Sequence, residues 1–264
     1  MNPSDYNQGD AFQAEKQTVF STGWLPLCAD GQLAKPGDFV ALTVGGWSAF
    51  AVRDEAGAVR ILRNACRHQN MQVVGTPSGH CETFRCRFHG WTYDLQGRFV
   101  SAPPPVAPKE PQSPDLHLTP LATKVASGLV FFSLAAPPDA PDLGPPPPAY
   151  GGTITTEIAC NWKICVEHLL ADHAPSPDFT WTWPLLVVRR AGPVTIMEQV
   201  VPHTFLRTRL LTHVFGRPAD DRQTADTIKY ACEHLQTERA AGTPAAASAL
   251  VADFHRRVAE ALAD

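Results

Sequence analysis

The chain has no run of about 18 uninterrupted apolar residues, so no membrane-spanning helix is expected. It has no long basic run either. Lys and Arg number 22 against 26 Asp and Glu, a formal charge of −4, which argues against a nucleic-acid partner. The start, MNPSDYNQGDAFQAEKQ, lacks the charged-then-apolar pattern of a secretory leader. Cysteine is scarce, seven in 264 residues. An odd, scattered set excludes a simple disulfide framework and suits free thiols and metal ligands in a reducing compartment. The cytoplasm is the expected location.

What is present is the composition of a globular protein, 44% hydrophobic and 18% charged. Proline is abundant but unevenly placed, with dense runs at Ser101 to Asp115 and Ala136 to Tyr150. Proline lacks the amide donor and fixes φ, so neither run continues a helix or an interior strand. The first reads as a loop wrapping a domain surface, the second as a semi-rigid connector. Before the connector, DFVALTV, SAFAVRD, AVRILRN, TFRCRF and GLVFFSL read as short strands between turn signals. After it, NWKICVEHLLADH has helical spacing, ended by Pro175 and Pro177. Strands WPLLVVRR, VTIMEQVV and FLRTRLLTHVF follow, then helices TADTIKYACEHLQTERA and SALVADFHRRVAEALA. The expected fold is α+β: an all-β domain over 18–136, a Pro-rich linker over 137–150, and a sheet-plus-helices domain over 151–264.

The densest chemistry lies between Cys66 and Trp91, CRHQNMQVVGTPSGHCETFRCRFHGW. Cys66-x-His68 and Cys86-x-x-His89 are two ligand pairs at spacings that let one loop reach one metal centre. Two thiolates and two imidazoles suit zinc, or a [2Fe-2S] cluster with both histidines on one iron. Each loop supplies one Cys and one His, whereas a zinc finger more often pairs cysteines in one half and histidines in the other. His80 and Cys81 fall between the halves and read as turn residues.

The pattern C-x-H-x17-C-x-x-H-G-W-x-Y-D-x-x-G, with GWLPLC, KPGDFVAL and RNACRH upstream and SGLVFFSL downstream, resembles the Rieske domain of the oxygenase (α) component of Rieske non-haem iron oxygenases. Gln69 and Asn70 stand where that family commonly has Arg-Gly, and Phe88 where Tyr is usual. The resemblance implies a [2Fe-2S] cofactor on Cys66, His68, Cys86 and His89, and a helix-grip-like catalytic domain behind it.

In the resembled family, that second domain holds a mononuclear Fe(II) through two histidines and a carboxylate. NWKICVEHLLADHAPSPDF matches its Asn-Trp-Lys opening at Asn161, Trp162 and Lys163, and its acidic residue at Glu167. Thereafter the match loosens. His168 stands where Asn is usual, His173 falls one position short of the first ligand, and Asp178 occupies the place of the second. The preferred ligand pair is His168 and His173, with Asp226 as the carboxylate and Asp220 and Asp221 behind it. Asp172 or Glu167 would pass electrons or protons between the centres. Trp162, Trp181 and Trp183 read as core or pocket lining, and Arg189, Arg190, Arg207 and Arg209 as strand residues largely facing solvent.

The resemblance further implies a terminal oxygenase acting with O₂ on a small organic substrate by hydroxylation or demethylation. Electrons would come from a ferredoxin or a flavin-dependent reductase, entering at His68 and His89 and crossing a subunit boundary in a homo-oligomer, commonly a trimer, or in a complex with another subunit. The chain is short for such a component, which leaves open an electron carrier or α-like subunit without a working mononuclear site. A zinc module is the remaining alternative.

Overall fold

The computed structural model describes residues 1–263 other than Pro138, Ala140, Asp172, Pro175, Asp221, Ala246 and Ala247. Three short helices come first: α1 (Ser4–Asn7), α2 (Gly9–Gln17) and α3 (Val19–Thr22). Ten strands follow: β1 (Leu25–Ala29), β2 (Asp38–Val44), β3 (Trp47–Arg53), β4 (Val59–Arg63), β5 (Ser78–His80), β6 (Phe84–Arg85), β7 (Thr92–Tyr93), β8 (Phe99–Ser101), β9 (Pro120–Ala126) and β10 (Leu129–Ser133). They form a seven-stranded sheet, β1-β10-β9-β4-β3-β2-β5, and a small sheet, β6-β7-β8. The β2–β3 hairpin turns on Gly45 and Gly46, at φ 54° and 87°. Positive φ at both central residues is what a two-residue hairpin needs to match strand twist, and glycine adopts it without a Cβ clash.

The second half holds β11 (Tyr150–Ile158), α4 (Trp162–Leu170), β12 (Phe179–Thr182), β13 (Leu186–Ala191), β14 (Val194–Thr204), β15 (Arg207–Phe215), α5 (Arg222–Ala240) and α6 (Ala249–Ala263). Its antiparallel sheet runs β11-β15-β14-β13-β12. Helix α4 lies on β14 and β15, and α5 on β11. Leu169, Val200, Leu210, Ile228, Val251 and Phe254 share one buried core there. An all-β part followed by a sheet gripped by helices is the α+β arrangement that the hydrophobic pattern predicts. The Asn161 side chain caps α4, accepting from Lys163 N–H.

Three features escape the sequence reading. TFRCRF forms a strand only over Phe84–Arg85, because Cys86 opens a turn. The connector is anchored: Leu143 is buried against Phe131, Leu186 and Met197, and its carbonyl accepts from Arg190. The polar opening segment and α3 fold back on α4, where Phe20 of α3 meets Trp162 edge-on at 5.1 Å.

Candidate metal centre

The two Cys/His loops fold alike. Cys66 N–H donates to Met71 O and Cys66 O accepts from Asn70 N; Cys86 N–H donates to Trp91 O and Cys86 O accepts from Gly90 N, all at 2.8–2.9 Å. Each turn needs a left-handed residue four places after its cysteine. Gly90 sits there at φ 74° and Asn70 at φ 56°. Asparagine is among the few side-chain-bearing residues that visit this region readily, which is why it can stand at a position suited to glycine.

These turns bury both cysteines, at 1% and 2% exposure, and bring the His68 and His89 rings edge to face at 4.7 Å. Burial pushes the Cys66 thiol pKa up; the Tyr93 hydroxyl and the His68 backbone amide pull it back, and Cys86 beside it raises it again. Tyr93 O–H lies 3.1 Å from Cys66 Sγ, and the Tyr93 oxygen also accepts from Arg67 N–H at 3.1 Å. His68 Nδ1 is buried and has no protein partner. Two adjoining buried thiols and an inward imidazole nitrogen awaiting an acceptor of its lone pair fit a [2Fe-2S] cluster divided two ligands per iron. His80, by contrast, is 59% exposed at its side chain and holds Asp38 at 2.9 Å, and burial raises the Cys81 thiol pKa to about 11.

The residues expected around a second iron are placed differently. His168 is half-buried in the last turn of α4. His173 lies beyond α4, its ring stacked on Phe179 at 4.2 Å and 13°. Asp226 is exposed on α5, next to buried Ala225. Asp178 is exposed, and Asp220 pairs with Arg217 at 2.8 Å. Asp172 and Asp221 lie outside the described residues. Among the described residues, no three His, Cys, Asp or Glu side chains gather as ligands of a single ion. Asp226 is therefore not brought together with the two histidines, and the described residues do not by themselves fit a mononuclear iron.

Glu167 is 2% exposed and engaged at both oxygens. Oε1 accepts from Tyr6 O–H at 2.5 Å and His255 Nε2–H at 2.8 Å, and Oε2 accepts from Arg239 Nε–H at 3.1 Å. The same face of α4 carries Lys163, fully buried and paired with Glu15, whose other oxygen accepts from Trp162 Nε1–H at 2.7 Å. Sequence reasoning missed Tyr6 and Glu15. The signal was the Asn-Trp-Lys motif itself, because a buried lysine requires a buried acid. Trp162 is core, and Trp181 and Trp183 pack on Phe254. Arg189 is only part-exposed and pairs with buried Glu198 at 2.5 Å, an exception among strand arginines expected to be largely solvated.

Residues 23–121 match the family model described as the Rieske [2Fe-2S] domain. The chain is 30% identical over 191 residues to chlorobenzene dioxygenase subunit alpha of Cupriavidus sp. (strain PS12), covering 65% of this chain and 42% of that one. It is 29% identical over 195 residues to biphenyl 2,3-dioxygenase subunit alpha of Rhodococcus jostii (strain RHA1), covering 65% and 41%. The chain thus spans about two fifths of the length of these curated relatives. Among solved structures, the apo form of the quaternary ammonium Rieske monooxygenase CntA superposes with TM-score 0.79 at 17% identity, over 99% of this chain and 94% of that one. Naphthalene 1,2-dioxygenase from Rhodococcus sp. bound to indole gives 0.63 at 17%, over 100% and 82%. Residues 23–121 are a Rieske [2Fe-2S] domain, and the whole chain has the fold of Rieske oxygenases.

Proposed function

We propose that this chain is the terminal oxygenase component of a Rieske-type oxygenase, a mono- or dioxygenase that uses O₂ to hydroxylate or demethylate a small organic substrate. The observation that carries this reading is one fold containing both two like-folded Cys/His loops, with buried cysteines and adjoining histidine rings, and a sheet-and-helix domain behind them. Bound there, a [2Fe-2S] cluster supplies one-electron transfer. Cys66, His68, Cys86 and His89 would hold it, and Tyr93 would steady the charge on Cys66 by donating a hydrogen bond. The half-buried imidazole edges of His68 and His89, flanked by exposed Arg85, Arg87 and Phe88, are the proposed entry for electrons from a ferredoxin or flavin-dependent reductase. His168 and His173 are the histidine pair this reading assigns to a mononuclear Fe(II), whose third ligand is not found among the described residues, and the reading places the chain in a homo-oligomer such as a trimer. Soluble, cytoplasmic operation is part of the same reading.

A second reading has a specific observation in its favour. Asp226 is exposed and no third ligand gathers among the described residues, as expected of an electron-carrying or α-like subunit without its own mononuclear iron. Anaerobic iron and acid-labile sulfide stoichiometry separates the two. About three irons to two sulfides per chain, falling to about two and two in His168→Ala/His173→Ala, supports the oxygenase. About two irons in both proteins would overturn it in favour of the carrier.

A further inference from the structure

Nothing among the hydrogen bonds of the Rieske domain fixes the rotation of the His68 ring; a planar wall does. The Trp91 indole lies parallel to that ring, centroids 5.1 Å apart and planes 13° apart. Trp91 is 4% exposed and is itself held twice. Its Nε1–H donates to Val106 O at 3.0 Å, and Phe99 meets it edge-on at 4.9 Å. Its backbone carbonyl, meanwhile, accepts from Cys86 N–H at 2.8 Å. One residue thus closes the second ligand loop through its main chain and orients a ligand of the first through its side chain.

Val106 belongs to the proline-rich stretch that reads in the sequence as a loop wrapping a domain surface. Pro103 of that stretch packs over the second loop, where a Cβ on Gly90 would meet its Cγ at 3.0 Å. Proline's fixed φ makes such a loop a stiff support.

We propose that Trp91, braced by the proline-rich loop through Val106, is a positioning residue that sets the orientation of the His68 imidazole at the cluster. The inference rests on the Rieske site and is independent of whether a mononuclear iron is present. The stacked face is the operative feature, because an imidazole tethered at Cβ and bound through one nitrogen keeps a residual freedom to tilt unless a hydrogen bond or a neighbouring plane removes it.

The test uses the full chain, reconstituted with its cluster and reduced with dithionite, in wild type, Trp91→Phe and Trp91→Leu. Phe keeps a planar face, whereas Leu keeps apolar bulk without one. Iron and sulfide content is measured first, and pulsed EPR then reads the nitrogen couplings of the two ligand histidines. The expected result is full cluster content in all three proteins. Couplings in the Phe variant should resemble wild type, and one histidine's couplings should be shifted or broadened in the Leu variant while the other's are kept. Unchanged couplings in the Leu variant would overturn the proposal, as would equal disturbance in Phe and Leu. Loss of the cluster in both variants would also overturn it, assigning Trp91 to folding of the loop.

Discussion

At the residue scale, the cluster site is governed by single polar atoms placed in an apolar setting. Tyr93 is fully buried, yet its hydroxyl is satisfied on both sides, by Cys66 Sγ and by Arg67 N–H. Burial is the main reason its pKa is driven far above the usual phenol range, so it remains a hydrogen-bond donor at any working pH. A donor to a ligating sulfur favours the more negative, reduced cluster. Tyr93→Phe is therefore expected to move the midpoint potential in the negative direction without loss of iron or sulfide. A redox titration followed by visible spectroscopy reads this directly, and an unchanged midpoint would remove Tyr93 from the tuning of the site.

At the scale of elements, α4 is clamped by the chain's own opening segment. Glu15 of α2 reaches Lys163 and Trp162, and Tyr6 of α1 reaches Glu167. Burial pushes the Glu15 carboxyl pKa up, while Lys163 and Trp162 pull it back. Removing one member of such a pair strands the other charge in the core, at a cost of about 3–5 kcal/mol. Glu15→Ala should lower stability by about that amount in denaturant titrations. The double variant Glu15→Leu/Lys163→Met should recover much of the loss, because it leaves no buried charge unpaired. Equal loss in single and double variants would show that packing, not charge, holds the clamp. His168, in the last turn of α4, directly follows Glu167, which Arg239 and His255 hold in place.

At the scale of the whole molecule, a buried polar chain joins the two halves. Gln199 of β14 donates to Pro26 O in β1 at 2.8 Å and accepts from His213 Nε2–H at 3.0 Å; His213 Nδ1 accepts from Thr153 O–H at 2.8 Å. His213 is fully buried, and burial pulls its pKa down to about 3. The unfolded chain, with an ordinary histidine near 6.5, binds a proton that the folded chain refuses. Stability from this group is thus complete above about pH 6.5 and is lost as pH falls from there towards 3, by up to about 1.4 kcal/mol per pH unit. The unfolding midpoint should fall across that window, and less steeply in His213→Asn. Parallel slopes in the two proteins would assign the acid sensitivity elsewhere.

The sequence by itself determined what depends on spacing along the chain. The ligand loops were legible because a Cys and a His two or three residues apart share one turn, and their pattern carried the resemblance that the family model matches over 23–121. Helix α4 and strands β13 to β15 were legible from their periodicity. Only tertiary structure decided what depends on partners distant in the chain. The Glu15 to Lys163 pair joins residues 148 positions apart in the chain, and Trp91 meets His68 only after two loops converge. The placing of Asp226 on the outside of α5 also lay beyond sequence, because a carboxylate near a helix start reads alike whether it faces a metal or water. Local pattern fixes the local backbone; whether two side chains meet is settled only when burial of the apolar faces draws their elements together.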